Sequence, residues 1–386
     1  MEASQETKQH MIVKSDEEGS TSIHDLPSCI MIEILSRLPL KTLVKSRSVC
    51  KLWNDYFLDP HFPVSYAANG PTQLLIPIVH LSSDTVRMVD WDSEDCPARK
   101  INIGVAGKGG LPLMLTEKHT AIVVKSLCNG FLCLCDEESG NPVSLWNPML
   151  CEYVLLPEVT RASSSTVICG LGFADKKYKV VRIYKPKSTE ALWEAEITTV
   201  GTDTNWRNIG KVCYELSASF FSANFDGIIH WSIEGPASEL IYCLDVRNEK
   251  FSCLPPPSIF SPNKNREEPK GYYWSNIGVL EDSLYICARS SDGLVPPVEF
   301  WLMKEYGVKE SWIRILNIGS LHEDWWKRYR RFELIKVLSD GKIVLLCGDQ
   351  SLRLCDPRNR SNREVFKVSD PMIAVSPSFV SLKNGA

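Results

Sequence analysis

From about residue 70 onward, the apolar residues of this chain come in short runs of about four to eight. Gly, Asn, Asp and Pro turns separate them, and no long amphipathic helix intervenes. The runs recur in a unit of roughly 50 residues, the spacing of propeller blades. One part of the unit is a turn ahead of an apolar strand: Asn129-Gly130 before Phe131, Asp226-Gly227 before Ile228, Glu281-Asp282 before Leu284, and Asp340-Gly341 before Ile343. Another is a strand ending on a polar side chain, at Asn147, Asp245 and Asp356. Asn147 stands ten residues before Pro157, and Asp245 ten before Pro255; both intervals close on an aromatic (Tyr153, Phe251), two residues and Leu-Pro. Trp206 and Trp312 each follow a glycine by five residues and precede Asn-Ile-Gly. Such repetition predicts four-stranded sheets that each bury one face against the next. About 310 residues at roughly 50 per repeat predict about six blades, with seven also compatible. The last run, Met372 to Leu382, is expected to pair with the first, Gln73 to Ile78, which closes the ring and removes free sheet edges.

The N-terminal part obeys a different period. Residues 1–22 are polar and charged, and read as a disordered tail. Ile30, Ile34, Leu35 and Leu38 then fall on one helical stripe, with Asp25 ahead as a cap and Pro27 in the first turn. Pro39 ends that helix. Leu40, Leu43 and Val44 mark a second helix; Val49, Cys50, Trp53 and Phe57 mark a third, which Pro60 stops. The fold class expected is therefore α+β and multidomain: a three-helix unit at 23–62, a linker at 63–71 stiffened by Pro63 and Pro71, and an all-β propeller-like domain at 72–382.

Forty-three Lys and Arg against 47 Asp and Glu leave a net charge of −4, without the basic excess of a general nucleic-acid or anionic-membrane binder. No run approaches about 18 apolar residues, and Met-Glu-Ala-Ser-Gln-Glu is not a signal-peptide start, so an intracellular protein is expected. The 14 cysteines include no Cys-x-x-Cys pair and read as free core thiols, Cys133 and Cys135 sharing one strand face. No metal or cofactor is implied.

Leu26-Pro27, the Ile34-Leu35 to Leu38-Pro39 block and Val49-Cys50-Lys51-Leu52-Trp53 stand in the order and spacing that resemble an F-box. Ser28-Cys29 stand where many members carry acidic residues. The remainder is similar to the F-box-associated, kelch-like domain of plant F-box proteins, through Leu127-Cys128-Asn129-Gly130-Phe131, Leu145-Trp146-Asn147-Pro148, Asp226-Gly227-Ile228-Ile229-His230-Trp231 and the 301–312 block ending in Glu310-Ser311-Trp312. The resemblance implies a substrate receptor of a cullin–RING ubiquitin ligase, in the cytoplasm or nucleus. Its F-box would dock on a Skp-type adaptor, and through it on the cullin and RING subunits, while the β domain would hold a protein target. The adaptor-binding stripe is then Leu26, Pro27, Ile30, Ile34, Leu35, Leu38, Leu43, Val49, Cys50 and Trp53. Burial of one Leu or Ile contributes about 1.5–3 kcal/mol, so three or four anchors suffice. Spacing alone leaves the stripe's outward and inward residues unseparated.

No catalytic constellation is present. Gly104 to Gly110 lacks the phosphate-loop spacing, and the seven histidines show no metal spacing; His230, inside an apolar strand, reads as core. Two segments suit a substrate-facing surface: Tyr272, Tyr273 and Trp274, and the stretch holding Trp325, Trp326, Arg328 and Arg330, where basic groups alternate with aromatics. The competing readings are a nucleic-acid-binding or enzymatic propeller, with the helical segment as a structural cap.

Overall fold

The computed structural model describes residues 23, 26–59, 61–69, 74–77, 85–90, 99–104, 121–150, 152–160, 163–186, 192–216, 222–233, 241–258, 272–280, 282–290, 298–318, 331–338, 340–348, 350–359, 361–367 and 372–382. Among the described residues four helices come first: α1 (Ser28–Ser36), α2 (Leu40–Ser46), α3 (Lys51–Leu58) and α4 (Phe62–Asn69). Pro27 and Pro39 are N-caps rather than first-turn residues. The Pro27 carbonyl accepts from Ile30 and Met31 N–H, and the Pro39 carbonyl from Thr42 and Leu43 N–H, so each Leu-Pro pair launches a helix. Asp25 lies outside the described residues.

The fourth helix corrects the expected linker at 63–71. Phe62 and Tyr66, one turn apart, are buried with their rings stacked at 6.1 Å, and that packing draws the segment into a helix. Pro63 is tolerated because it falls in the first turn, where its missing N–H has no intrahelical partner to lose.

Among the described residues twenty-four strands follow, in six antiparallel sheets of four. The ring is closed by β24 (Met372–Val375), which joins β1 (Leu74–Pro77), β2 (Thr85–Asp90) and β3 (Arg99–Gly104) in the order β24-β1-β2-β3. Leu74 stands opposite Val375 and Pro77 opposite Met372, the pairing expected between the chain's first and last runs. The second sheet holds β4 (Ile122–Cys128), β5 (Phe131–Asp136), β6 (Pro142–Asn147) and β7 (Glu152–Leu155); the third β8 (Ser163–Ala174), β9 (Lys177–Pro186), β10 (Trp193–Thr199) and β11 (Arg207–Val212). The fourth holds β12 (Ala223–Phe225), β13 (Ile228–Trp231), β14 (Ile241–Asp245) and β15 (Lys250–Leu254); the fifth β16 (Tyr272–Leu280), β17 (Ser283–Ser290), β18 (Val298–Met303) and β19 (Trp312–Ile318). The sixth holds β20 (Phe332–Val337), β21 (Ile343–Cys347), β22 (Ser351–Asp356) and β23 (Ser361–Lys367). This is a β-propeller.

The repeated sequence signals have physical counterparts. Asn129-Gly130 (φ 50° and 80°) and Asp226-Gly227 (φ 48° and 72°) turn in the left-handed region that two-residue hairpins require. The polar strand ends cap the turns that follow them. Asn147 Oδ1 accepts from Met149 N–H at 2.9 Å, Asp245 Oδ1 from Arg247 N–H at 2.9 Å, and Asp356 Oδ1 from Arg358 N–H at 3.0 Å. Trp206 Nε1–H donates to the Pro157 carbonyl at 2.8 Å and Trp312 Nε1–H to the Pro255 carbonyl at 3.1 Å, each tying a blade to the one before it. The described cysteines are free, and Cys133 and Cys135 are fully buried.

Candidate functional site

A four-stranded antiparallel meander puts its first and third turns at one end and its second turn, with the link to the next sheet, at the other. The propeller thus has a hairpin face, carrying turns such as 129–130 and 226–227, and an opposite face. The helical unit sits on the hairpin face. Phe379, just beyond β24, packs its ring 5.0 Å from Tyr66, 5.1 Å from Phe62 and 5.8 Å from Phe57. Arg47 Nη1 donates to the Met149 carbonyl, in the β6–β7 turn, at 2.6 Å. The helices therefore share one apolar core with β4, β5 and β24.

That packing divides the expected adaptor stripe. Leu35 and Leu43 are 0% exposed, sealed inside the chain's own core, so they offer no surface to a partner. Leu38 and Trp53 are partly buried against the same core, and Cys50 is half-buried. Left in solvent are Leu26 (38% exposed), Ile30 (46%), Ile34 (40%) and Val49 (61%), with Pro27 also exposed. Leu52 (42%), which the motif did not single out as an anchor, joins them. Ile30 and Ile34 are one turn apart, so α1 presents an apolar ridge to solvent while Met31, Ile32 and Leu35 face inward. The inward half of the unit thus packs on the propeller as a cap would, and the outward half leaves apolar side chains in solvent.

Strands β4, β12, β16, β20 and β24 line a cavity of about 470 Å³. Asn276 and Arg331, both buried, line it, and Arg331 Nη2 donates to Glu333 Oε2 at 3.0 Å. Tyr285 lies across the wall, its hydroxyl accepting from Leu334 N–H at 3.1 Å; burial pushes its phenol well above the usual tyrosine range. Gly278 makes room for that ring, since a Cβ there would stand 2.5 Å from it. Tyr272, Tyr273 and Trp274 open β16 and pair with Ser290, Arg289 and Ala288. This end of β16 and the Arg331 end of β20 lie at the face opposite the helices. Trp325, Trp326, Arg328 and Arg330 fall outside the described residues. The sequence reading passed over Phe379, which nothing periodic marks, and reached Arg331 only as the last residue of the basic and aromatic stretch 325–331.

Comparison with known proteins agrees with this geometry. The F-box domain model matches residues 23–65, and the F-box associated beta propeller domain model matches residues 112–365. The chain belongs to the F-box proteins with an F-box-associated β-propeller. Its relatives include F-box protein At3g07870 of Arabidopsis thaliana, 24% identical, with 87% of this chain and 86% of that one covered. F-box/kelch-repeat protein At3g23880 of the same plant is 23% identical over 94% of this chain and 95% of that one. Among solved structures, a chain of a nidogen/laminin complex aligns over 80% of this chain and 100% of its own, at 10% identity and a TM-score of 0.43. Members of the F-box family are adaptor-type proteins rather than enzymes, and an F-box joined to a propeller fits a substrate receptor in general terms. Among the described residues no helix is long and apolar enough to cross a membrane.

Proposed function

We propose that this chain is the substrate-recognition subunit of an SCF-type ubiquitin ligase, working in the cytoplasm or nucleus. The exposed ridge of Leu26, Pro27, Ile30, Ile34, Val49 and Leu52 docks on the Skp-type adaptor, and the propeller face opposite the helices takes the protein target. The observation that carries this reading is the ridge itself. Its large apolar side chains Leu26, Ile30, Ile34, Val49 and Leu52 stay more than a third exposed on a unit whose other face is already filled, and a partner surface would cover them. The chain makes and breaks no bond. It raises the local concentration of a target beside the ubiquitin-loaded enzyme, and the gain is effective molarity.

Co-purification with the adaptor tests the docking half. Leu26→Ala with Pro27→Ala is expected to lose the adaptor while the propeller keeps its circular dichroism and melting temperature; unchanged capture by this double variant would overturn the assignment. Proximity labelling under proteasome inhibition, comparing the intact chain with one lacking the F-box, identifies targets of the second half.

A further inference from the structure

We propose that residues 376–382 are a clamp fixing the angle between the helical unit and the propeller, with Phe379 as its positioning residue. The segment is pinned at both ends to the blade formed by β4–β7. At its start, a Cβ on Gly130 would collide with the Ser376 carbonyl oxygen and stand 2.9 Å from the Ser378 nitrogen, so the β4–β5 turn and the segment meet backbone to backbone. At its end, Asn147 Nδ2 donates to the Val380 carbonyl at 2.8 Å. Ser381 Oγ and Leu382 N–H both donate to Glu152 Oε2 at 2.9 Å. Between these anchors Phe379, 1% exposed, enters the helices and meets Tyr66 and Phe62 edge-to-face.

Edge-to-face packing is directional, so the ring fixes orientation as well as contact. The Arg47 bond to the Met149 carbonyl adds a second, separate attachment on the same blade. A chain passing once from α4 to β1 leaves the two units free to rotate; a return of the C-terminal segment to α3 and α4 removes that freedom. On the reading of the preceding subsection, the clamp holds a target bound at the far face in a constant position relative to the adaptor.

The test is the distance distribution between spin labels on Cys29 in α1 and Cys253 in β15, both exposed. It uses the full chain with Cys50, Cys96, Cys151 and Cys213 replaced by serine. A single narrow distance is expected for the parent, a broadened distribution for Phe379→Ala, and only partial recovery of the narrowing by Phe379→Met, which restores apolar volume without the ring's directional contacts. Glu152→Ala frees the end of the segment without touching the aromatic cluster. It is expected to broaden the distribution less, and it decides the matter if Phe379→Ala does not fold. A parent-like narrow distribution in folded Phe379→Ala, or in Glu152→Ala when that is the deciding variant, would overturn the clamp. Adaptor capture by both variants is expected to persist, so failure of the clamp and failure of the docking reading appear in separate measurements.

Discussion

Trp312 and Trp206 each spend an indole N–H on the proline carbonyl that closes the preceding blade, across 57 and 49 residues of sequence. Trp312→Phe keeps the ring's bulk and removes the bond, so chemical denaturation should show a loss of about 1 kcal/mol, nearly additive with Trp206→Phe. The Leu-Pro and Gly-to-Trp echoes were legible as repeats, but that one echo bonds to the other required the blades side by side. The Asp175-Lys176 turn (φ 50° and 62°) carried no signal, because neither residue is the glycine that marks its counterparts. His230 was legible as core: its ring nitrogens meet the Ala223 carbonyl at 3.3 Å and the Tyr306 hydroxyl at 2.8 Å. Burial lowers its pKa to about 4, below the ordinary 6.5. The unfolded chain therefore binds the proton more tightly than the folded one. The stabilisation from a neutral His230 is complete above about pH 6.5 and lost as pH falls toward 4, about 3 kcal/mol in all. Denaturation midpoints between pH 4.5 and 7 should show that slope, and His230→Gln should flatten it.

Among the elements, the period-2 strands and the turns between them were readable because each blade repeats the same local chemistry. The closing pair of β24 with β1 was readable because a propeller must hide its edges. Helix α4 was not. Two aromatics at i and i+4 are too little periodicity to outweigh three nearby prolines, and the helix owes its stability to rings contributed from elsewhere in the chain. Phe62→Ala should therefore cost about 3 kcal/mol in a thermal or chemical melt, by opening a cavity among Phe57, Tyr66 and Phe379. It should also expose residues 62–69 to protease before the propeller is cut. The α1 stripe was legible as apolar, while its division into an inward and an outward side depends on where the propeller's hairpin face meets it.

At the scale of the whole molecule, the helical unit is half core and half exposed apolar surface. Leu35 and Leu43 are sealed in the fold; Ile30, Ile34 and Val49 stay exposed, and they are the residues we propose for the adaptor. The sequence could name the stripe and not its two sides, since both are made of the same residue types. Titrating purified Skp-type adaptor into the full chain, alongside a melt of each variant, separates them. Ile30→Ala, Ile34→Ala and Val49→Ala should each weaken adaptor affinity by about tenfold or more while leaving the melting temperature within a degree or two. Leu35→Ala and Leu43→Ala should lower the melting temperature and leave the affinity of the folded chain unchanged. Full adaptor affinity in the three exposed variants would contradict the account.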